Sequence, residues 1–202
     1  MTTTFTLSAI PTELKWLLQP VDWQAQGTDR LVITAGPKTN WFIDPAGGRA
    51  DDNAPVAVFT PADENFLLKA KVAVDFGSTF DAGVLQIRAA PTYWAKLCFE
   101  YSPQQQPMIV SVVTREVSDD CNSAVIAGHE VYLRLARRGQ IMAFHYSLDG
   151  QYWQLARYFT IGSWPQAQVG FSSQSPTGQG CRAVFSEISY APGTVPDWRS
   201  GE

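Results

Sequence analysis

Side chains suited to holding a hydroxyl-rich ligand recur at two-residue spacing within one stretch of this 202-residue chain. Trp94, Lys96 and Glu100 share one parity in Tyr93–Tyr101, and Gln86 and Arg88 hold matching positions in the preceding run. An indole packs on the apolar C–H face of a polyol, while ammonium, guanidinium, amide and carboxylate groups hold its hydroxyls. Arg115 and Arg134 join the same face if successive runs pair as neighbours, and Trp41 is a candidate rim residue. The expected ligand-binding set is therefore Gln86, Arg88, Trp94, Lys96, Glu100, Arg115, Arg134 and Trp41. The competing reading is a plain exposed sheet face laced with cross-strand ion pairs, each contributing about 0.2–1 kcal/mol. For Trp41 the competitor is a ring that plugs the edge of the fold.

Catalysis is less well supported. Glycoside hydrolysis needs two carboxyl groups flanking one bond, and Glu100 has no acidic partner two or four residues away. Glu187 stands alone in Phe-Ser-Glu-Ile-Ser-Tyr, and Glu116, Asp119 and Asp120 read as a solvated loop. Beside Lys96, Glu100 is expected to stay ionised, which suits hydrogen bonding better than acid catalysis. His129 and His145 have no partner at metal-ligand spacing, and Cys98, Cys121 and Cys181 are too scattered for a zinc site or a disulfide framework. Nucleophile-elbow and phosphate-loop motifs are absent. No catalytic residue, metal or cofactor is expected. Asp51-Asp52-Asn53 and Asp119-Asp120-Asn122 offer oxygen donors for calcium, although such runs are commonly solvated turns.

Strands must position these residues. Leu68, Ala70, Val72, Val74 and Phe76 alternate with Lys69, Lys71 and Asp75, the period of a half-buried strand. The pattern recurs in 83–89, 93–101, 108–115, 131–138, 141–148, 152–160, 168–173 and 182–190. Arg138-Gly139-Gln140 and Asp149-Gly150 read as tight turns, and Ser175–Gly180 as a loop rich in chain breakers. No long helical stripe appears; 12–18 fits one helical turn or a strand equally well. The stretch 44–53 reads as a long polar loop, a kind of segment often functional. Many short strands without crossover helices predict an all-β, two-sheet antiparallel sandwich. One domain spans 1–202, with its core over about 12–190 and a surface tail at 191–202.

Composition excludes several partners. Hydrophobic residues make up 45% and aromatic residues 12%, enough for a core. The net charge is −4 and the longest basic run is Arg137-Arg138, so the positive stripe that nucleic acid requires is missing. No stretch approaches the ~20 apolar residues that span a membrane. The N-terminus lacks the pattern of a secretory leader, so the expectation is a cytoplasmic protein.

The segment Asp81–Arg115 carries a further signal. Asp81-Ala82-Gly83, then Trp94, Lys96 and Glu100-Tyr101, then Ser111-Val112-Val113-Thr114, form a spaced pattern. Thr39–Pro45, Ser147–Gly150 and Gly170-Phe171 extend it. This pattern resembles a domain-of-unknown-function family that includes the fungal regulation-of-enolase protein. The resemblance covers roughly 12–190 and implies a concanavalin A-like jelly roll of the lectin and glucanase type. The family often has Ser-Asp-Trp near Ser118, where this chain has Ser118-Asp119-Asp120; if that Trp contacts a ligand in relatives, the resemblance does not carry their ligand specificity to this chain. The expected function is a non-catalytic, lectin-like module for a saccharide or related polyol. The alternatives are a regulatory module acting on a metabolic enzyme, as the family name implies, or a glycoside hydrolase or lyase with an atypical site.

Overall fold

The computed structural model describes residues 3–202 and contains no helix among them. In chain order the strands are β1 (Thr4–Phe5), β2 (Leu14–Leu18), β3 (Asp22–Gln26), β4 (Arg30–Ala35), β5 (Trp41–Ile43), β6 (Ala50–Asp52) and β7 (Val56–Phe59). They continue as β8 (Asn65–Asp75), β9 (Ala82–Ala90), β10 (Tyr93–Tyr101), β11 (Pro107–Arg115), β12 (Val117–Val125) and β13 (Glu130–Arg138). The last are β14 (Ile141–Ser147), β15 (Gln154–Phe159), β16 (Gln168–Gln174) and β17 (Cys181–Pro192).

Two large antiparallel sheets form a jelly-roll-like sandwich, as the alternation predicts. The first has the order β1-β2-β7-β16-β9-β10-β11-β12, and the second β15-β14-β13-β8-β17-β4-β3. Residues of one parity from both sheets fill the space between them. Leu85, Ile87, Leu97, Phe99, Ile109 and Phe171 face Leu68, Val72, Leu133, Leu135, Phe144 and Phe185, all essentially buried. Gly83 shows how tightly the layers approach: a Cβ there would lie 2.6 Å from Val72.

Three segments differ from the sequence reading, and one that it left open takes the second of its two alternatives. The ambiguous 12–18 stretch is strand β2. The expected loop at 44–53 folds back as the β5–β6 hairpin, pairing Trp41 with Asp52 and Ile43 with Ala50. The acidic loop at 116–120 is mostly strand β12, whose small polar residues alternate without hydrophobic contrast. Its charges suit a sheet edge, where they discourage pairing with another chain. The tail turns back over the second sheet, burying Val195 and Trp198 against Ala136 and Ala143.

Candidate functional site

Register decides which groups meet on the outer face of the first sheet. Lys96 stands opposite Gln86 on β9 and Val112 on β11. Val112 in turn stands opposite Asp120 on β12. Gln174, at the end of β16, pairs with Ala82, itself opposite Glu100. Three covers turn part of this face into a hollow: the β5–β6 hairpin, the turn at Phe80, and the loop after β16.

Each cover has a visible anchor. Ser118 Oγ accepts a hydrogen bond from the Ile43 amide at 2.9 Å and exchanges one with Thr114 Oγ1 at 2.9 Å, fixing the hairpin to the β11–β12 edge. Buried Asp81 accepts from the amides of Gly77 and Ser78 and from Ser175 Oγ, at 3.0, 2.8 and 2.7 Å. That carboxylate ties the turn before β9 to the loop after β16. Phe80 is held at φ 71°, a left-handed conformation that costs a non-glycine residue on the order of 1 kcal/mol. Its amide donates to the Tyr101 carbonyl at 2.7 Å.

The resulting cavity has a volume of about 170 Å³, and Lys96, Glu100, Gln174, Asn40, Asp120 and the rings of Phe42 and Phe80 are among its lining. A hydrogen-bonded chain crosses it. Lys96 Nζ donates to Gln174 Oε1 at 2.9 Å and to Asn40 Oδ1 at 3.3 Å. An ammonium only donates, so both amides must turn their oxygens toward it. Gln174 Nε2 is thereby left to donate to Glu100 Oε2 at 3.4 Å and to the Phe80 carbonyl at 3.2 Å. Asn40 Nδ2 donates to Asp51, which pairs with Arg49 at 2.7 Å.

Burial governs the charges. Glu100 is 8% exposed and its carboxyl pKa is pushed up to about 8. Desolvation is the main cause, partly opposed by Lys96 and reinforced by Asp120. The expectation that Lys96 would keep Glu100 ionised is thus corrected: removal from water outweighs the nearby cation. Near neutrality Glu100 is mostly a neutral acid. Because Oε2 accepts from Gln174, the proton belongs on Oε1, making it a donor. Asp120 stands at the mouth with an exposed surface, its carboxyl raised by partial burial and held down by Lys96.

The expected ligand-face residues divide. Lys96 and Glu100 line the cavity. Gln86 and Arg88 share their face but lie beside it. Gln86 is 1% exposed with its amide unpartnered, and Arg88 lies with its guanidinium 4.4 Å from the Trp41 ring. Trp94, at 0% exposure, is corrected from ligand contact to packing residue, sealed under Trp41 with the rings edge-on at 6.3 Å. Trp41 is 4% exposed and its Nε1 donates to the Ala54 carbonyl at 2.9 Å, so it packs into the hairpin and does not line the Lys96–Glu100 cavity; with Arg88 it borders a separate hollow. Arg115 pairs with Tyr93 and therefore has the opposite parity from Trp94, which excludes it from this face. Arg134 lies on β13 in the other sheet. Asp120, Gln174, Asn40, Phe42 and Phe80 were not among the expected residues. In the sequence Asp120 stands out only as a departure from the family pattern and as a calcium donor, and Asn40 and Phe42 only as part of the Thr39–Pro45 pattern. Asp51 and Asn53 are engaged inside the hairpin. Among the described residues no group of three or more His, Cys, Asp or Glu side chains is arranged to hold a metal ion.

Fold and cavity together define a jelly-roll-like β-sandwich with a polar hollow on the outer face of one sheet. The chain belongs to the family of proteins of unknown function DUF1349, whose family model matches residues 16–193. A functionally unknown protein from Saccharomyces cerevisiae superposes with a TM-score of 0.83 at 22% identity, over 95% of this chain and 100% of that one. The GH43 BlXynB protein from Bacillus licheniformis gives a TM-score of 0.70 at 15% identity, over 89% of this chain. This chain spans only 36% of that protein. An alginate lyase from Klebsiella pneumoniae gives 0.56 at 11% identity, over 87% of this chain and 86% of that one. Among curated proteins there is no sequence match.

Proposed function

We propose that this protein is a binding module for a carbohydrate or related polyol, taken one ring at a time in the cavity between Lys96 and Glu100. The observation that carries the reading is the convergence of one ammonium, two amides and a carboxyl whose pKa burial raises, in a cavity also lined by Phe42 and Phe80. Such a set offers donors and acceptors to hydroxyls and apolar faces to C–H groups. A volume of about 170 Å³ is below the ~300–1,000 Å³ of pockets for drug-sized ligands, which favours a single small ring over a chain. Several proteins that share the fold carry carbohydrate-active names, among them BlXynB and the alginate lyase. Those likenesses support the reading by analogy.

A second reading, glycoside hydrolysis or lysis, is favoured by one observation. Glu100, a carboxyl titrating near neutrality, shares the cavity with Asp120. Ligand-observed NMR with neutral pentoses and hexoses and with uronates separates the cases. Binding with no product formed over days, weakened about tenfold in Phe42→Ala, supports the module. Product formation that stops in Glu100→Gln selects the enzyme. Absence of binding across the panel, or binding that Phe42→Ala leaves intact, refutes the cavity as the site.

A further inference from the structure

The second sheet carries its own unclaimed constellation. Across the outer face of that sheet, β14, β13, β8 and β17 bring His145, Arg134, Lys69 and Ser189 into one row through the pairs His145–Arg134, Arg134–Lys69 and Lys69–Ser189. Lys69, Arg134 and Ser189 line a cavity of about 260 Å³, together with Trp153, Leu67 and Ala191. No carboxylate lines it. The chain has 19 Asp and Glu residues against 15 Lys and Arg, so counter-ions are plentiful. Two on the strands of this sheet are engaged elsewhere. Tyr132 donates to both oxygens of Glu187, at 3.0 and 2.9 Å, and Glu130 pairs with Lys71 at 2.7 Å.

Arg134 is the unusual member. It is 5% exposed, and a buried cation normally finds an anionic partner. Among the described residues none is within ion-pair reach. Its one hydrogen bond runs from Nη2 to the Gly201 carbonyl at 2.7 Å, and its Nε is buried without a partner. The guanidinium lies 4.1 Å from the Trp153 ring, which orients it by cation–π contact. The returning tail closes the other side: His145 Nε2 bonds the Trp198 carbonyl at 2.8 Å, and a Cβ at Gly201 would fall 2.8 Å from Arg134 Nη2. Burial alone lowers the Arg134 pKa to about 10, with no carboxylate opposing it, and the group remains charged at neutral pH.

We propose that this cavity is an anion site for a phosphate group, held by Arg134 and Lys69 with the Ser189 hydroxyl, whose organic substituent packs on Trp153 and Leu67. A phosphate dianion matches two cations, and its oxygens match a guanidinium edge and an ammonium. Trp153, Leu67 and Ala191 give the cavity an apolar wall beside the charged groups, which suits a phosphomonoester better than free phosphate. The site is on the opposite sheet from the Lys96–Glu100 cavity and does not depend on it.

The test is thermal denaturation of the full chain in inorganic phosphate and in phenyl phosphate, each against chloride at matched ionic strength. The expected result is saturable stabilisation by phosphate over chloride, with half-saturation at least threefold lower for phenyl phosphate. Equal half-saturation for the two would still place phosphate on the cations but overturn the packing of an ester group on Trp153. Lys69→Gln, at a half-buried position, is expected to keep the unliganded midpoint and raise half-saturation about tenfold or more. Arg134→Gln is expected to abolish the response; if that variant fails to fold, Lys69→Gln decides alone. Phosphate acting no better than chloride overturns the proposal. So does an unchanged response in Lys69→Gln, or a response that Phe42→Ala in the other cavity removes.

Discussion

Replacing Glu100 by Gln tests whether the cavity is as dry as its geometry indicates. In the folded chain the Glu100 carboxyl titrates at about 8, against an ordinary value of 4.5. Between those values the folded state holds a proton that the unfolded state has released. Stability therefore falls with rising pH: the contribution of protonated Glu100 is complete below about 4.5 and gone above about 8. At about 1.4 kcal/mol for each pH unit, the displacement from 4.5 to about 8 is on the order of 5 kcal/mol. Water admitted through the mouth solvates the carboxylate and reduces that figure, so a measured loss of about 2–4 kcal/mol is the expected range. Glutamine keeps an oxygen for the Gln174 amide and a neutral donor toward the cavity, without a charge to bury. At pH 5 the variant should match the natural protein within about 1 kcal/mol, as expected for a near-isosteric change. At pH 9 it should be the more stable of the two by the full difference.

Urea denaturation at intervals from pH 5 to 9 measures this directly. The thiols of Cys98 and Cys181 are also raised, first by burial; Glu100 adds to the rise at Cys98, but burial dominates there and keeps that thiol protonated across this range in both proteins. Parallel stability profiles for the two proteins across that range would refute the reasoning. They would mean that Glu100 is hydrated or ion-paired, and that the neutral donor invoked for ligand binding does not exist.

Two further outcomes follow from particular contacts. His145 is fully buried and its pKa is lowered to about 4, first by burial, then by Arg134, against the Trp198 carbonyl that favours the charged form. Its contribution is present above the ordinary value of 6.5 and lost as pH falls toward 4, so the tail at 194–201 should lose hydrogen-exchange protection at pH 4.5 before the sheets do. Gly170→Ala would place a Cβ 1.8 Å from the Ala57 carbonyl oxygen across the β7–β16 ladder. Soluble expression and a denaturation midpoint should show a loss of about 3 kcal/mol or more, or failure to fold.

Strand parity was legible, and it placed Lys96 and Glu100 correctly on one outer face, with Trp94 beside them. What covers that face was not. The β5–β6 hairpin contributes Asn40, Phe42 and Arg49 to the cavity from a stretch whose Gly47-Gly48 turn and scattered charges look like a loop. That cover seals Trp94 and reverses the protonation expected of Glu100. A Lys–Glu pair four residues apart on an open strand keeps its carboxylate ionised, whereas the same pair under a lid does not. Asp120 escaped for a related reason. Val117–Val125 has too little hydrophobic contrast for a period of two to show, although backbone pairing with β11 makes it a strand all the same.

The misplacement of Arg134 comes from a different kind of information. Its parity was right and its sheet was wrong. The connection between β10 and β11, Ser102–Gln106, returns the chain within the same sheet, and the connection between β12 and β13, Ile126–His129, carries it to the other. Both are short and both contain a turn-forming residue, so local composition does not separate a hairpin from an arch. The difference lies in Ile126, which is buried in the inter-sheet core and pulls the connection across the sandwich, with Gly128 at φ 113° completing the turn. At this connection the buried apolar residue marks the crossing, whereas the β16–β17 connection, Ser175–Gly180, passes between the sheets with none in the inter-sheet core. The β12–β13 crossing separates two of the expected basic residues: Lys96 stays beside a carboxyl in one cavity, and Arg134 joins Lys69 on the far sheet, where no carboxyl lines the cavity they share.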